Sequence, residues 1–404
     1  MGRIPLFSDI TAAAERLRGD ILATPLVFSP ALSRTFDGRL YLKMENLQKT
    51  GSFKARGALN LVKKRRELIP EGGVVAASAG NHAQGVALAA RQAGIPATIV
   101  MPVGASISKQ EATRNYGGKV VLEGRTVSES LVAARRLARD GSLFIHPFDD
   151  PDIVAGQGTV ALEIVEGLPD LDHVIVPVGG GGLIAGIAVA LRRLKPEATL
   201  TGVQAAVCPS AVEALRRGAV TEVPAGVSIA DGIAVRQTGA LPFEIIREMV
   251  DDIVLVEEEQ IAAAILLLME RKKIMAEGAG AVALAALMSR AVVLAPGEKT
   301  VLLISGGNLD SPLLGRIIRK GLIQSGRIMR VGVMLEDVPG ALAGLLRCIA
   351  DANANVLHIH HDRSRRDCPV NVTAVELELE TRGEAHIAAL EATLREAGYA
   401  LTFT

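Results

Sequence analysis

The sequence is poor in cysteine and aromatic residues and carries no net charge. Of its 404 residues, three are cysteine, none is tryptophan and 3% are aromatic, while 44 basic side chains balance 44 acidic ones. Cys208, Cys348 and Cys368 are far apart and form no CxxC pair, which argues against disulfides or a cysteine zinc site and predicts reduced thiols in a cytoplasmic protein. The balanced charge gives no indication of a nucleic-acid or anionic-membrane partner.

Long apolar runs are also absent, with one exception. Residues 174–191 carry no charge and approach the length of a membrane span, but they contain Pro177 and four consecutive glycines. A strand, a glycine loop and a buried helix explain this stretch better than a membrane helix does. The start of the chain, Met1 to Pro5, lacks the apolar run of a signal peptide. The sequence therefore predicts no membrane partner.

Short apolar runs alternate with amphipathic stretches from about residue 70 onwards. In a chain rich in alanine, valine, leucine and glycine, this alternation predicts an α/β fold with helices covering parallel strands. Ligands bind such sheets at the carboxyl ends of the strands. After Gly326 the pattern changes to β-α-β-β-α-β, which predicts a ferredoxin-like α+β domain. Within it we expect a helix over Val338–Ala352 and a strand over Cys368–Glu380.

The segment T-G-S-F-K-A-R-G places Lys54 at a predicted junction between a loop and a helix. An exposed lysine is simply a solvated charge. A lysine drawn into an apolar pocket loses that charge easily, becomes a nucleophilic amine and can form a Schiff base with a carbonyl compound. The basic run Lys63 to Arg66, which follows in the same predicted helix, is interpreted as a solvated helix end.

Two segments rich in small residues each follow a predicted strand and open a helix, where free N–H groups bind anions. The first, Ser78–Gly85, suits a substrate carboxylate, and Asn81 could bond a cofactor oxygen; an ordinary helix cap is the equal alternative. The second, Val178–Gly186, exposes four glycines in succession and suits a phosphate. Its match to the dinucleotide-binding motif G-x-G-x-x-A is weak, and the next strand does not end in the acidic residue that would hold a ribose. Binding of a dinucleotide is therefore disfavoured.

Three other segments leave their roles open. Ser305 ends a predicted strand and could donate to a ring nitrogen, although, taken alone, a simple strand-end turn is the better explanation. Glu277 could be a functional carboxylate or a helix cap. His358, His360 and His361 resemble a metal site, but alternation along a strand turns His361 to the other face and no further ligands complete a shell. No metal is assigned.

The motifs closely resemble those of the threonine/serine dehydratase family of fold-type II pyridoxal-phosphate enzymes. They are S-F-K-A-R-G around Lys54, S-A-G-N-H from Ser78, the four glycines and S-G-G-N from Ser305, in the order and spacing of the family. The resemblance implies a catalytic domain over residues 1–320 with two three-layer, parallel-sheet subdomains, the smaller at about residues 45–145. Residues 327–404 resemble a single ACT domain, through L-E-D-V-P-G-A-L from Leu335.

The resemblance also implies a role for each matching residue toward pyridoxal 5'-phosphate. Lys54 would carry the cofactor and act as the catalytic base, Phe53 would pack beside the cofactor, and Asn81 would bond its ring oxygen. Ser305 would bond the ring nitrogen. The phosphate would be held by Gly179, Gly180, Gly181 and Gly182, and the substrate carboxylate by Ser78, Ala79, Gly80, Asn81 and His82.

The implied activity is β-elimination and deamination of a hydroxy amino acid. L-Threonine would give 2-oxobutanoate and ammonia, and L-serine would give pyruvate. Ala79 stands where serine racemases place a second serine, which argues against efficient racemisation. A racemase and dehydratase of the serine type, and a non-catalytic amino-acid sensor on the same scaffold, remain alternatives. The ACT resemblance implies an amino-acid effector near Asp337 and Gly340, or else a ligand-free dimerisation module, in a homo-oligomer (dimer or tetramer).

Overall fold

A computed structural model describes residues 3–139, 141–224, 226–363 and 369–403. By their internal contacts these residues form two compact units, Met1–Leu313 and Leu314–Thr404. Each unit is described by itself. The domain limits expected from the sequence, 1–320 and 327–404, stay predictions.

The first unit alternates strands and helices along most of its length. Its strands are β1 (Leu26–Phe28), β2 (Arg39–Met44), β3 (Val74–Ala77), β4 (Ala97–Met101), β5 (Lys119–Leu122), β6 (Leu143–Phe144), β7 (His173–Pro177), β8 (Thr199–Ala205), β9 (Asp252–Val256) and β10 (Lys299–Ile304). Its helices are α1 (Phe7–Leu17), α2 (Pro30–Phe36), α3 (Lys54–Lys64), α4 (Asn81–Ala93), α5 (Ile107–Asn115), α6 (Val127–Arg139), α7 (Pro151–Gly167), α8 (Gly182–Leu194), α9 (Ser210–Arg217), α10 (Ala240–Met249), α11 (Glu258–Leu267) and α12 (Gly278–Met288). Helix α13 (Ser311–Gln324) continues into the second unit.

Within the described ranges, the strands of the first unit form two sheets. The larger has the order β1-β2-β10-β7-β8-β9, and all of its pairs are parallel except β1 with β2. The smaller has the order β5-β4-β3-β6 and is parallel throughout. The prediction of an α/β fold with two parallel sheets is thus confirmed, apart from the antiparallel edge strand β1.

Burial explains why the central strands consist almost entirely of apolar residues. Every residue of β3 and β7 is buried, because helices cover both faces of each sheet. The uncharged stretch at residues 174–191 becomes β7, the glycine loop and most of α8, whose Gly182–Leu191 are buried as well. Among the described residues, no helix combines the length and the apolar character needed to cross a bilayer.

The carboxyl ends of three strands carry the segments singled out in the sequence. Ser78 follows β3 in the smaller sheet, while Gly179 follows β7 and Ser305 follows β10 in the larger. Strands β7 and β10 are direct neighbours. A parallel sheet places the carboxyl ends of its strands at one edge, so the glycine loop and Ser305 share an edge of the larger sheet.

The second unit has the ferredoxin-like topology that its β-α-β-β-α-β pattern predicts. Its antiparallel sheet has the order β12-β13-β11-β14, and apolar side chains such as Leu345 and Leu390 form its core with the sheet. The elements are β11 (Ile328–Glu336), α14 (Ala341–Asp351), β12 (Asn355–Asp362), β13 (Val372–Glu380), α15 (Glu384–Glu396) and β14 (Leu401–Phe403).

Two element boundaries in this unit differ from expectation. The helix predicted from Val338 begins at Ala341, because Pro339 and Gly340 form a turn in which Gly340 has a φ of +95°. The strand predicted from Cys368 begins at Val372, whose N–H bonds the carbonyl of Pro369 in a turn. Cys368 itself lies outside the described residues.

Candidate active site

Lys54 is the first residue of α3, and the loop before it is attached to the end of β10. The N–H of Phe53 donates to the Ser305 carbonyl at 3.1 Å, and Ser52 forms an isolated bridge with Gly306. The partly buried amine of Lys54 donates to the carbonyl oxygen of Pro147 at 3.0 Å and lies 5.1 Å from the centre of the Phe53 ring. The structure therefore brings Lys54, Phe53 and Ser305 together.

Burial sets the acid–base behaviour of this lysine. Loss of hydration lowers the pKa of Lys54 to about 8, against an opposing effect of the Glu277 carboxylate. A much larger fraction of the amine is neutral at physiological pH than in an exposed lysine, whose pKa is about 10.4. Lys54 consequently meets the main requirement for a nucleophilic amine.

The side chain of Asn81 is held between two partners. Its Nδ2 donates to Oε1 of Glu277 at 2.7 Å, and its Oδ1 accepts from Nδ2 of Asn308 at 2.7 Å. Asn308 also donates to the Thr50 carbonyl at 2.8 Å. Glu277 occupies the position before α12, but its side chain makes no capping hydrogen bond there. Of the two alternatives for Glu277, the structure favours a carboxylate of the site.

Glu277 is deeply buried and lies in a field of several charges. Burial raises its pKa to about 7, and the Asp231 carboxylate adds to this increase. The Asn81 amide and the cations of Lys109 and Lys54 act in the opposite direction. Lys109 also forms an ion pair with Asp231 at 2.6 Å. Glu277 therefore changes its protonation close to neutral pH, within reach of the charge on Lys54.

The tetraglycine loop presents uncommitted donors at the start of α8. Gly181 has a φ of +91°, a conformation that side chains disfavour. Within the part of the chain that the structure describes, the N–H groups of Gly180, Gly181 and Gly182 have no hydrogen-bond acceptor. Free N–H groups at a helix N-terminus bind anions, so the loop suits a phosphate.

Phe148 connects this loop to Lys54. A Cβ atom at Gly180 or Gly182 would collide with Phe148, so both glycines are needed for the loop to pack there. Pro147, which accepts from the Lys54 amine, is the preceding residue. The loop and the lysine thus lie against the same short segment. Sequence reasoning missed Phe148, because an aromatic residue in a loop carries no signal of this kind.

The segment from Ser78 to His82 forms the second group of free donors. The Gly80 N–H bonds the Ser78 hydroxyl at 3.1 Å, and no acceptor is found within the described residues for the N–H groups of Asn81 and His82. No atom lies within 4 Å of the position that a Gly80 Cβ would take, so the loop is open on that side. Ala79 is partly exposed on the same loop. This arrangement suits a carboxylate.

The ring of His82 has a different role from its neighbours. It is buried and its Nε2 lies 3.1 Å from the Ile145 carbonyl oxygen. Burial, assisted by the Lys54 charge, lowers the pKa of His82 to about 3, so the ring is neutral. The contact of Nε2 with the Ile145 carbonyl anchors the imidazole to the fold, while the backbone N–H of His82 faces no acceptor within the described residues.

Two buried hydroxyl groups near the site are available for hydrogen bonds to a ligand. In the described structure, Thr50 Oγ1 and Ser52 Oγ have no hydrogen-bond partner. Buried polar atoms normally have one, and unpaired examples mark places where a ligand or water is missing. With the Lys54 amine, the Asn81 amide and the free N–H groups of the glycine loop, these atoms fit a phosphorylated aldehyde.

A buried charge network fixes the first turn of α3 and was not predicted. Arg56 has no exposed surface and donates to Glu45 at 2.7 and 2.8 Å and to Glu163 at 2.6 Å. Lys43 also binds Glu163. Arg56 is two residues from Lys54, so this network holds the helix that carries the lysine.

The basic run at the other end of α3 was expected to be solvated, and this holds only in part: Lys64 and Arg66 are exposed, whereas Lys63 and Arg65 are partly buried. Lys63 pairs with Asp20, Lys64 with Asp152 at 2.6 Å, and Arg65 with Asp150 at 2.9 Å. The acidic partners come from distant segments, which a local charge pattern cannot reveal.

In the second unit, the two predicted effector residues lie at the turn between β11 and α14. The Asp337 carboxylate accepts from Nε of Arg363 at 2.9 Å. Gly340 caps α14, and the space beside it is open. The turn offers a charged pair next to an accessible helix start.

Comparison with known proteins gives concordant matches. The family described as pyridoxal-phosphate dependent enzyme matches residues 17–306. A protein named L-threonine ammonia-lyase from Thermotoga maritima is 50% identical over 392 residues, 97% of each chain. Threonine deaminase isoform 2 from Solanum lycopersicum has a TM-score of 0.72 and 36% identity, covering 78% of this chain and 86% of its own. Maize serine racemase has a TM-score of 0.74 and 32% identity, covering 80% of this chain and 99% of its own.

Proposed function

The chain belongs to the pyridoxal-phosphate-dependent enzymes, and we propose that it is a lyase that converts L-threonine to 2-oxobutanoate and ammonia. The observation that carries the proposal is the Lys54 amine, with its pKa lowered to about 8, among uncommitted anion-binding N–H groups and ring-binding polar side chains. The 50% identity with the L-threonine ammonia-lyase of T. maritima over 97% of both chains supports the substrate. L-Serine, giving pyruvate, is the proposed second substrate.

The residues of the site fit the cofactor of the family. When bound, pyridoxal phosphate supplies an aldehyde that condenses with amines and a ring that withdraws electrons from the substrate Cα. Lys54 would hold the aldehyde, Gly179 to Gly182 the phosphate, Asn81 the ring oxygen and Ser305 the ring nitrogen. The Ser305 hydroxyl carries no negative charge to keep the ring nitrogen protonated, which favours elimination over transamination.

Lys54 would have two successive functions. It first anchors the cofactor, and once the substrate amine has displaced it, its free amine removes the proton from Cα. The N–H groups from Ser78 to His82 would hold the substrate carboxylate, which orients the Cα–H bond toward Lys54. The proton that Lys54 takes from Cα would balance the one that the β-hydroxyl needs to leave as water. Hydrolysis of the released enamine would then yield the 2-oxo acid and ammonia.

Formation of a 2-oxo acid tests this proposal directly. We expect the purified holoenzyme to produce 2-oxobutanoate from L-threonine, in equal amount with ammonia, and pyruvate from L-serine. D-Threonine is the matched control. A protein that binds pyridoxal phosphate and releases no 2-oxo acid from any hydroxy amino acid would contradict the proposal and favour the non-catalytic sensor.

Ala79 separates elimination from racemisation. Ala79 has no hydroxyl that could serve as a second acid toward the substrate, so we expect L-serine to yield far more pyruvate than D-serine. Ala79→Ser should raise the ratio of D-serine to pyruvate by about tenfold or more. Ala79→Gly, which adds no hydroxyl, is the control. Equal rates of racemisation and elimination in the natural chain would favour the racemase alternative.

The lowered pKa of Lys54 predicts how cofactor attachment depends on pH. Only the neutral amine attacks an aldehyde, so below a pKa of about 8 the attachment rate should increase about tenfold per pH unit. Above that pH the rate should level off. The growth of visible absorbance after adding pyridoxal phosphate to cofactor-free protein measures it. A rate that still increases steeply up to pH 10 would show an ordinary, unperturbed lysine.

For the second unit, we propose an amino-acid effector at the turn of Asp337 and Gly340. The support is the open space beside Gly340 and the Asp337–Arg363 pair. We expect one of the standard amino acids to change the activity of the full chain, and Asp337→Ala to weaken that response at least about tenfold without changing the basal rate. Asp351→Ala, on the same unit, is the control. The absence of any response would favour a dimerisation module.

The oligomeric state and the cellular location of the protein are also proposals. We propose a homo-oligomer, either dimer or tetramer, which sedimentation of the purified protein tests. We also propose a cytoplasmic location, on the support that the described cysteines, Cys208 and Cys348, are both free thiols.

A further inference from the structure

The orientation of the Asn81 amide is determined by two residues without an assigned role. The two ends of an amide differ, since Nδ2 only donates and Oδ1 only accepts. Nδ2 of Asn81 faces Glu277 and Oδ1 faces Asn308. Rotating the amide by half a turn would set donor against donor at Asn308 and oxygen against oxygen at Glu277.

Asn308 cannot easily reverse to accommodate such a rotation. Both N–H groups of its Nδ2 are used, one by Asn81 Oδ1 and one by the Thr50 carbonyl, which can only accept. The side chain is also closely confined, because a Cβ at Gly51 would lie 2.5 Å from Asn308 Oδ1. Because the Thr50 carbonyl can only accept, it keeps Nδ2 of Asn308 on this side, and Asn308 is therefore the donor to Asn81.

Glu277 fixes the orientation of the Asn81 amide from its Nδ2 end. Its side chain is confined by Gly306, where a Cβ would collide with its carboxylate. The groups whose charges act on it are Asp231, Lys109 and Lys54, with Asn81 as its hydrogen-bond donor. In its ionised form the Glu277 carboxylate accepts and does not donate, so it holds one N–H of Asn81 and leaves the other as the donor available to a ligand.

We propose that Glu277 and Asn308 are positioning residues that fix the Asn81 amide so that it presents a hydrogen-bond donor, and not an acceptor, to the cofactor. This inference rests on the proposed function. It explains why a carboxylate and a doubly donating amide flank Asn81, and it assigns both residues to cofactor affinity, not to proton transfer with the substrate.

Substitutions that keep size but change hydrogen-bond polarity test the inference. Asn308→Asp replaces the donor facing Asn81 Oδ1 with an acceptor, and should raise the Kd for pyridoxal phosphate about tenfold or more. Glu277→Ala removes the acceptor and should weaken binding similarly. Glu277→Gln keeps an oxygen that can accept from Asn81, so its Kd should stay within about threefold of the natural value.

The double variant Glu277→Gln with Asn308→Asp separates positioning from stability. In it, a rotated Asn81 can donate to the carboxylate introduced at position 308 and accept from the amide introduced at position 277. The thermal midpoint should therefore recover part of the loss caused by Asn308→Asp. Cofactor affinity should not recover, because the amide then presents the wrong edge. Affinity is measured by absorbance titration of cofactor-free protein, and folding by thermal unfolding of the same samples.

The outcomes distinguish this inference from the proposed function. If the natural chain binds the cofactor and forms 2-oxobutanoate while Asn308→Asp and Glu277→Ala bind the cofactor equally well, only the inference is wrong. Affinity that recovers together with stability in the double variant also overturns it, since the residues then act only through the fold. Failure of the natural chain to bind pyridoxal phosphate would contradict both.

Discussion

Lys54→Ala is expected to lose both the covalent attachment of pyridoxal phosphate and the elimination activity. The variant has no amine at the position where the structure places a partly buried lysine of lowered pKa beside Phe53 and Ser305. A base that removes the Cα proton contributes about 10²- to 10⁴-fold, and loss of the cofactor anchor adds to this. We therefore expect kcat for L-threonine to decrease by at least about 10³-fold.

A lysine elsewhere on the first unit provides the control for this variant. Lys195 forms an ion pair with the exposed Glu197, and Lys195→Ala should keep the activity and the visible absorbance of the natural chain. Because Lys54 is not part of the apolar core, the thermal midpoint of cofactor-free Lys54→Ala should stay close to that of the cofactor-free natural chain. Near-normal dehydration by Lys54→Ala would show that another group is the base.

The largest effect on stability is expected from Arg56→Ala. The substitution leaves the buried carboxylate of Glu45 and the partly buried carboxylate of Glu163 without their shared cation. Lys43 would remain as an ion-pair partner of Glu163 only. Breaking a buried pair by removing one partner costs about 3–5 kcal/mol, since the remaining charges stay buried without compensation. Denaturant unfolding of the cofactor-free chain should show this loss, and the first turn of α3 should lose its fixed position.

An exposed ion pair gives the contrasting case. Arg136 pairs with Glu123 at 2.8 Å on the surface, and Arg136→Ala should cost less than about 1 kcal/mol. Arg56→Lys keeps the charge but not the fork of donors that contacts both carboxylates. Its loss of stability should therefore lie between those of Arg56→Ala and Arg136→Ala. If Arg56→Ala were as stable as Arg136→Ala, the buried network would not be what holds α3.

Local patterns were sufficient to predict the alternation of strands and helices after residue 70, although helices α10 and α11 were not individually predicted. Many of the strands are short apolar runs, such as β7 at His173–Pro177, which is followed by the four glycines. The elements before Lys54 were not predicted. In β1, Val27 and Phe28 are exposed and the strand pairs antiparallel at the sheet edge, so it lacks the buried apolar run that identifies the others.

The candidate site was predictable to the extent that its chemistry is local. Lys54, the tetraglycine loop and Ser305 each lie in a short motif whose composition is costly without a ligand, and the fold brings these motifs together. Glu277 and Arg56 depend on partners far away in the chain, since Glu277 meets Asn81 and Arg56 meets Glu163. Only the three-dimensional arrangement shows that these charges are buried and paired.

Borohydride reduction of the holoenzyme followed by peptide mass measurement tests the central claim most directly. The reduction turns a lysine–cofactor linkage into a stable amine, which marks the residue that carried it. We expect the mark on the peptide that contains Lys54, with trypsin unable to cleave after that residue. An unmodified Lys54 peptide from protein that has retained its cofactor, or a mark on a different lysine, would contradict the account.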